Sequence, residues 1–583
     1  MALNAQRKGG TARLSKGQAQ SPLAIGGEDS TLSAAAAFGI ALLAALLAFL
    51  PSLFGSFIFD DFGLPFAKPE AATMSAHFWI GGVRPVLMAS YWLNFVLSDQ
   101  NPVPYHLFNL FLHALTATFV YFCGLSLLKA AGIAEPQKRT LAIFIAGIFL
   151  LHPLQTESVD YIAGRSEVLT GVFYFGAFAV FLQALHSSFG FGRVLAVLAL
   201  FGAAALSKEH AVTLPVLMLL TGVWWSDSGL QHIRRGARLY LSVLALAAAA
   251  ATYALYILAG AKSAGFGMTQ PRWYEYFLTE CRVIPVYLRL FIAPAGQNAD
   301  WSLPFSHGWF DPWSAFCLLA LCTAVAFAVR CRRRAPLIGY GFIVFLLLLA
   351  PTSSVMPIKD ALAERRMYLP VFGLAVAAAG LLASLKLTAR NLTGLVIAVL
   401  AVAGVLSFRR SEVWTSEVAL WSDVVDKSPE NIRGYTALGA ARVKAKQCGE
   451  AIAAYQAAIR LGKDQTGDQP NLDMPLASAY VCNHEPAKAR EMLRKIASPE
   501  AAKMLDGLGV ASGKEGDGQQ ALSDFNDAIR IAPDYALAYL HRGMYEYATS
   551  DERAAEEDLR HTLVLDPGNV LARDGLQHLR HER

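Results

Sequence analysis

Charge is scarce in this sequence. Only 16% of its 583 residues are Asp, Glu, Lys or Arg, 55% are hydrophobic, and the mean hydropathy is +0.38. That is too apolar for a soluble protein of this size and indicates a multi-span membrane protein. The scarcity is uneven. Up to about residue 410, charges stand in short groups between apolar runs; beyond it the composition is that of an ordinary soluble domain. The formal net charge of +5 is spread along the chain, with no basic block to suggest a nucleic-acid partner. Cysteine is also scarce. Seven are present and none forms a CxxC pair, which argues against a zinc or redox centre. A cleavage site is missing as well. The polar residues 1–32, with Arg7, Lys8, Arg13 and Lys16, therefore read as a cytoplasmic tail before an uncleaved first helix.

What is present in the first 410 residues is a series of apolar runs. Eleven stand at about 33–54, 105–128, 140–152, 166–186, 193–206, 210–226, 239–259, 312–330, 336–351, 366–384 and 391–409. Several fall short of the ~20 residues a straight span needs, so their edges are soft. Basic residues gather in alternate connections: Lys129, Lys138 and Arg139; Arg193; Arg234, Arg235 and Arg238; Arg330, Arg332, Arg333 and Arg334; Lys386 and Arg390. By the positive-inside rule these mark the cytoplasmic side. Eleven spans then put the C-terminal part outside. The same parity puts 260–311 outside. Residues 273–293, with Glu275, Glu280, Arg282 and Arg289, are expected as an external amphipathic or re-entrant helix pair broken near Pro285. Residues 77–98, with Trp79, Arg84, Trp92 and Asn94, are expected as an interfacial helix.

The C-terminal part repeats. Gly509, Ala521, Phe525, Ala528 and Pro533 recur 34 residues later as Gly543, Ala555, Leu559, Thr562 and Pro567. Gly439, Ala451, Tyr455 and Ala458 match the same positions, and a degenerate copy runs through Ala477, Tyr480, Ala489 and Leu493. This is the pattern of tetratricopeptide repeats, in which small residues let paired helices approach. Residues 411–430, with Trp414, Trp421 and Pro429, resemble the second half of a further repeat. Such arrays bind peptides or proteins, or act as rigid spacers. Cys448 and Cys482 lie in adjacent repeats and could form a disulfide outside the cytoplasm.

Polar clusters interrupt the apolar part at span ends. They are Asp60-Asp61 within Phe57–Gly63; His152-Pro153 with Gln155, Thr156 and Glu157, then Gly164-Arg165; Ser207-Lys208-Glu209; Asn298, Asp300 and Trp301; and Lys359-Asp360 with Glu364-Arg365-Arg366. In an eleven-span layout all five face the same side, which points to one shared site. Each alone also fits helix capping or an interfacial ion pair. Carboxylates near the hydrocarbon region are costly, and a protein that keeps a pair there has a use for them. His106 and His113, seven apart, share a helical face and read as hydrogen-bonded within the bundle.

These motifs together carry a resemblance. They are Phe59-Asp60-Asp61; Tyr105-His106-Leu107-Phe108-Asn109-Leu110 with His113; His152 to Glu157; Ser207-Lys208-Glu209; Pro351-Thr352-Ser353-Ser354; and Ala363 to Pro370, with repeats behind them. The set resembles the transmembrane and tetratricopeptide repeat-containing protein O-mannosyltransferases, and more closely their bacterial relatives. The resemblance implies an all-α chain. A GT-C-type transmembrane glycosyltransferase domain would span 33–410, and a tetratricopeptide-repeat α-solenoid would span 411–583 on the external side. It implies a polyprenyl-phosphate sugar donor, mannose in the animal members, and inverting transfer to a hydroxyl. The acceptor would be a protein bound by the repeats or another envelope component. A bacterial inner membrane with a periplasmic site is the expected setting.

The chemistry sets the residue types. An acceptor hydroxyl attacking the anomeric carbon must give up its proton, and Asp60 or Asp61 can take it. A glycosidase needs a second carboxyl group to protonate its leaving group. Phosphate needs charge stabilisation instead, from Arg or Lys. Arg365 and Arg366, then Arg165 and Lys208, are the candidates for the donor phosphate; His152, Glu157, Glu209, Asp300 and Glu364 are expected to shape the acceptor side. Asp60, Asp61 and Glu157 could offer oxygens to a divalent metal, but no spacing demands one and the resemblance implies no cofactor. The rival reading is a non-catalytic membrane-anchored repeat scaffold for envelope or pilus assembly, for which the polar clusters have no use. A transporter would carry its charges mid-span.

Overall fold

The computed structural model describes residues 32–225, 233–258, 265, 270–466 and 471–581. The polar tail expected at 1–32 lies outside them but for its last residue. The described residues are mostly helical, with no extended strand among them. Helix starts follow local chemistry. Asn101 and Asp311 each accept a backbone N–H two residues on, and each is followed by a proline at the first helical position. The chain forms two compact units. One comprises residues up to Gln297 together with Phe305–Glu412; the other comprises Asn298–Pro304 and Val413–Arg583.

In the first unit every expected apolar run becomes a helix, but the count of eleven spans is not upheld. Four helices are long and apolar enough to cross a membrane: Pro102–Ala130, Ile162–Leu185, Pro312–Arg333 and Ala389–Thr415. Two bent pairs, Ala34–Ala48 with Pro51–Gly63 and Gln137–Leu151 with Pro153–Val159, raise the number to at most six. The other expected spans are shorter apolar helices, such as Pro336–Leu349 and Val371–Ser384, each 14 residues long. At 1.5 Å per residue these reach about 21 Å, short of the ~30 Å hydrocarbon core. These helices make the chain a membrane protein.

The pair expected to break near Pro285 is instead one continuous helix, Trp273–Ile292, with Pro285 inside it. Its buried face explains why. Tyr276 and Tyr287 donate to the carbonyls of Thr352 and Ala363, so tertiary bonds hold the helix through the missing backbone donor. Residues 77–98 form two helices, Ala76–Ile80 and Pro85–Ser98.

The second unit is a run of helix pairs: Ile432–Lys444 with Cys448–Thr466, Asp473–Cys482 with Pro486–Leu493, Pro499–Glu515 with Gly518–Ile531, and Ala536–Ala548 with Glu552–Leu565. The repeated glycines sit where the paired helices touch. A Cβ at Gly439 would lie 2.6 Å from the Tyr455 ring, and one at Gly509 would lie 2.7 Å from Phe525. Ala451, Ala477, Ala489, Ala521, Ala528 and Ala555 are fully buried between helices. Cys448 and Cys482 are joined as a disulfide, with Cα atoms 5.6 Å apart.

Candidate active site

The loop after the first helix presents the two aspartates differently. Asp61 is fully buried. Its carboxylate accepts the backbone N–H of Ile58 at 3.0 Å and that of Ala163 at 2.8 Å, tying this loop to the first turn of the Ile162–Leu185 helix. Asp60 is exposed. Its N–H donates to the Tyr161 hydroxyl at 2.8 Å, and its carboxylate has no partner among the described residues. Phe59, just before the pair, sits at φ +50°, a conformation unfavourable for a bulky residue by about 1–3 kcal/mol. The bonds made by Asp61 and Tyr161 hold it there and turn the Asp60 side chain outward.

Tyr161 links this loop to a cationic group. Its hydroxyl lies within electrostatic reach of Asp60, Asp61 and Arg365. Arg365 is about one-third exposed. Its backbone N–H donates to one Glu157 oxygen at 2.8 Å and its Nη1 to the other at 2.6 Å, so the Glu157 carboxylate fixes both ends of the residue. Its Nε and Nη2 donate to nothing among the described residues. Lys208 stands nearby, paired with Glu167, and the charges of Arg84 and Arg365 both act on it. Arg84 grips Glu209 through Nε at 2.9 Å and Nη2 at 2.8 Å. Burial works to raise the Glu209 carboxyl, but these hydrogen bonds and the Arg84 charge outweigh it and bring it down to about 2. Three cations thus stand together, each braced by one carboxylate.

The other expected site residues are placed inside the framework. Arg165, a donor-phosphate candidate, is fully buried. It donates to Asn109 Oδ1 at 2.8 Å and to the carbonyls of Ser90 and Tyr105 at 3.1 Å, beneath the Tyr91 and Phe108 rings. Its guanidinium is occupied. Arg366 also points inward, donating to the carbonyls of Ala361 and Asp360, with Glu280 at 3.5 Å. His152 accepts the Leu154 N–H on Nδ1, so its proton is on Nε2, which donates to the Phe291 carbonyl at 2.9 Å. Glu364 receives Gln297 at 2.6 Å. Asp300 belongs to the second unit, where Asn431 and Arg433 donate to it. His113 bonds within the bundle, to the Tyr368 hydroxyl and the Leu150 carbonyl, both at 2.9 Å.

Sequence reasoning missed Tyr161, Arg84 and Glu167. Tyr161 had a usable signal: it sits between the His152–Glu157 and Gly164-Arg165 motifs. Arg84 was seen only as an interfacial marker. Among the described residues no three His, Cys, Asp or Glu side chains converge as a metal-ligand set.

No protein-family model matches the chain. Its sequence is 23% identical over 591 residues to the mouse protein O-mannosyl-transferase TMTC3, covering 89% of this chain and 62% of that protein. It is 22% identical to the human TMTC3, covering 89% and 63%, and 23% identical to the Drosophila melanogaster Tmtc3, covering 84% and 61%. The solved structure of YrrB, a TPR protein, aligns with 32% of this chain and 89% of its own, at 20% identity and a TM-score of 0.22. The chain spans less than two thirds of the length of the TMTC3 proteins it matches. Over most of its own length, then, it is similar to the TMTC protein O-mannosyl-transferases.

Proposed function

We propose that the chain is an integral-membrane glycosyltransferase of the GT-C type. It moves a sugar from a polyprenyl-phosphate donor to a hydroxyl on a protein acceptor, with inversion and without a metal. The names of the similar proteins favour mannose. The observation that carries the reading is the division of labour between the two aspartates. Asp61 is committed to the loop, while the Asp60 carboxylate is exposed and has no partner among the described residues, beside Tyr161, whose hydroxyl lies within electrostatic reach of Arg365.

The acceptor oxygen attacks the anomeric carbon from the face opposite the phosphate. The bond from that carbon to the phosphate oxygen breaks, and its electron pair leaves on the phosphate. The acceptor proton passes to the Asp60 carboxylate. Nε and Nη2 of Arg365, with Lys208 and Arg84, meet the charge that develops on the leaving phosphate. Glu157, Glu167 and Glu209 orient these cations, and Tyr161 orients the Asp60 backbone. Glu364 and His152 hold the surrounding loops. The repeat unit presents the protein acceptor, and its disulfide accords with an oxidising, external compartment.

The test uses purified wild type, Asp60→Asn and Asp61→Asn, supplied with radiolabelled polyprenyl-phosphate sugars and a cell-envelope extract. Asp60→Asn is expected to keep its thermal stability and lose transfer by about 10²–10⁴-fold. Asp61→Asn is expected to lose stability first. Full transfer by Asp60→Asn would remove it as the base. A folded wild type inert with every donor would favour the scaffold reading.

A further inference from the structure

The segment 156–163 serves both halves of the candidate site and holds one buried carboxylate that the transfer chemistry leaves unused. Its Glu157 braces Arg365, and its Tyr161 takes the Asp60 N–H. Between them stands Asp160, only 1% exposed. The Asp160 N–H closes the short helix Thr156–Val159 on the Thr156 carbonyl at 2.8 Å. Its backbone therefore joins the turn that carries Glu157 to the approach to Tyr161.

The Asp160 side chain reaches two distant parts of the same unit. Oδ1 accepts the Ser52 hydroxyl at 2.6 Å, from the turn Pro51–Phe54 that follows the first helix. The Ser411 hydroxyl and the Arg410 charge, at the end of the helix Ala389–Ser411, also act on the carboxylate. Ser411 Oγ in turn accepts the Ser52 N–H at 3.3 Å, so the three elements meet in one place. Ser52, Arg410 and Ser411 are all buried. An ionised carboxylate only accepts hydrogen bonds, so the Ser52 hydroxyl must turn toward it. The flanking carbonyls are tied from another side. Asn109 Nδ2 donates to those of Val159 at 3.2 Å and Tyr161 at 3.4 Å, and the Tyr91 hydroxyl to that of Ile162 at 2.9 Å. Burying a charge is costly, and this one takes no part in the proton transfer, which goes to Asp60. What it does is fasten the segment to the first and last helices of the unit.

We propose that Asp160 is a positioning residue for the transfer. With Ser52 and Ser411 it fixes the segment so that the Tyr161 hydroxyl meets the Asp60 N–H, and through Tyr161 it aims the Asp60 carboxylate. The consequence for transfer rests on the reading given above, but the placement of Tyr161 is measured with no donor present.

The experiment uses the full chain in detergent with a fluorotyrosine in place of Tyr161, alone and with Asp160→Asn, Ser52→Ala or Tyr174→Phe. Tyr174→Phe is the control: it removes a buried hydrogen bond of the same unit, to Thr213 at 3.0 Å. Asp160→Asn and Ser52→Ala are expected to move the fluorine resonance by more than its linewidth, and Tyr174→Phe to leave it in place. In transfer assays the first two should lower kcat by about 10–10²-fold with the donor KM nearly constant, because the base is misplaced while the donor is still held. Asp160→Asn combined with Tyr161→Phe should cost little beyond either change alone, since both act through one contact. A resonance unmoved by Asp160→Asn and Ser52→Ala, an equal movement in Tyr174→Phe, an unchanged kcat, or additive losses would each overturn the proposal. A wild type inert with every donor overturns the transfer reading instead. A resonance moved by the two variants and not by the control would then still uphold the placement of Tyr161 by Asp160.

Discussion

Arg165 brings a charge into the helical body and spends each of its three nitrogens on a neutral acceptor: Asn109, Ser90 and Tyr105. Lysine cannot reproduce that planar fan. Arg165→Lys is expected to leave at least two acceptors without donors and to destabilise the protein by roughly 3 kcal/mol or more, since each buried orphan costs about 1–3 kcal/mol. A thermal melt in detergent checks it. A melting temperature equal to wild type would return Arg165 to the list of substrate contacts. Glu209 gives a pH-dependent test. Its folded carboxyl is depressed from the model-peptide value of 4.5 to about 2 by Arg84. A depressed acid adds stability that is present above the unfolded value and is lost as pH falls through the folded one. The melting-temperature gap between wild type and Glu209→Gln should therefore be constant above pH 5 and close between about pH 4.5 and 2. A gap that persists at pH 2 would mean the residue acts by packing. At this scale the sequence singled out the motif residues, but neither their directions nor which of them come together: Arg165 and Arg366 turn inward and Asp300 belongs to the second unit. Adjacent Arg365 and Arg366 look equivalent in sequence; one faces out to Glu157 and the other in to backbone carbonyls, which only the packed loop decides.

Helices were the most legible features, and their lengths the least. Pro336–Leu349 and Val371–Ser384 were recognisable from apolarity, yet their spacing depends on glycines that carry no hydropathy signal. Gly341 and Gly373 let the two backbones approach so closely that a Cβ at Gly373 would collide with the Phe345 amide and the Gly341 carbonyl. Small residues serve this purpose in membrane helices, where dispersion and close backbone approach replace the hydrophobic drive. Gly373→Ala is expected to destabilise by about 1–3 kcal/mol or more, because neither backbone can yield as a side chain does. Gly394→Ala, in the Ala389–Ser411 helix with nothing within 4 Å of its new Cβ, is the control and should be neutral or slightly stabilising. Comparable losses at both positions, measured by thermal aggregation in the same detergent, would show that the close approach is not what matters. Pro285 illustrates the opposite limit of reading elements. Local rules break a helix there, but the hydrogen bonds of Tyr276 and Tyr287 to distant carbonyls hold it together.

At the scale of the whole molecule, the composition change near residue 410 marked two parts, and the 34-residue repeat named the second. What a linear reading could not see is a return of the chain. Asn298–Pro304 lies far upstream of the repeats yet belongs to their unit. Asn298 donates to the Ser428 hydroxyl at 2.8 Å. Asp300 receives Asn431 at 3.1 Å and Arg433 Nε at 2.7 Å, at the start of the first complete repeat. Asn431 is also the cap of the helix Ile432–Lys444, accepting the Gly434 N–H at 2.9 Å, so Asp300 steadies the residue that begins the array. Each repeat contacts mainly its neighbours, so such an array frays from an end that lacks its cap. A fragment of 413–583 is therefore expected to exchange its amide hydrogens faster over 417–444 than the full chain does. Exchange over 499–581 should be unchanged. Full-length Asp300→Ala should reproduce the same local loss, and adding the 298–304 peptide to the fragment should reverse part of it. If protection over 417–444 is identical in the fragment and the full chain, the upstream segment adds nothing to the array. If protection is lost evenly along 417–581, the repeats unfold as one body, and the end-cap argument fails for a different reason.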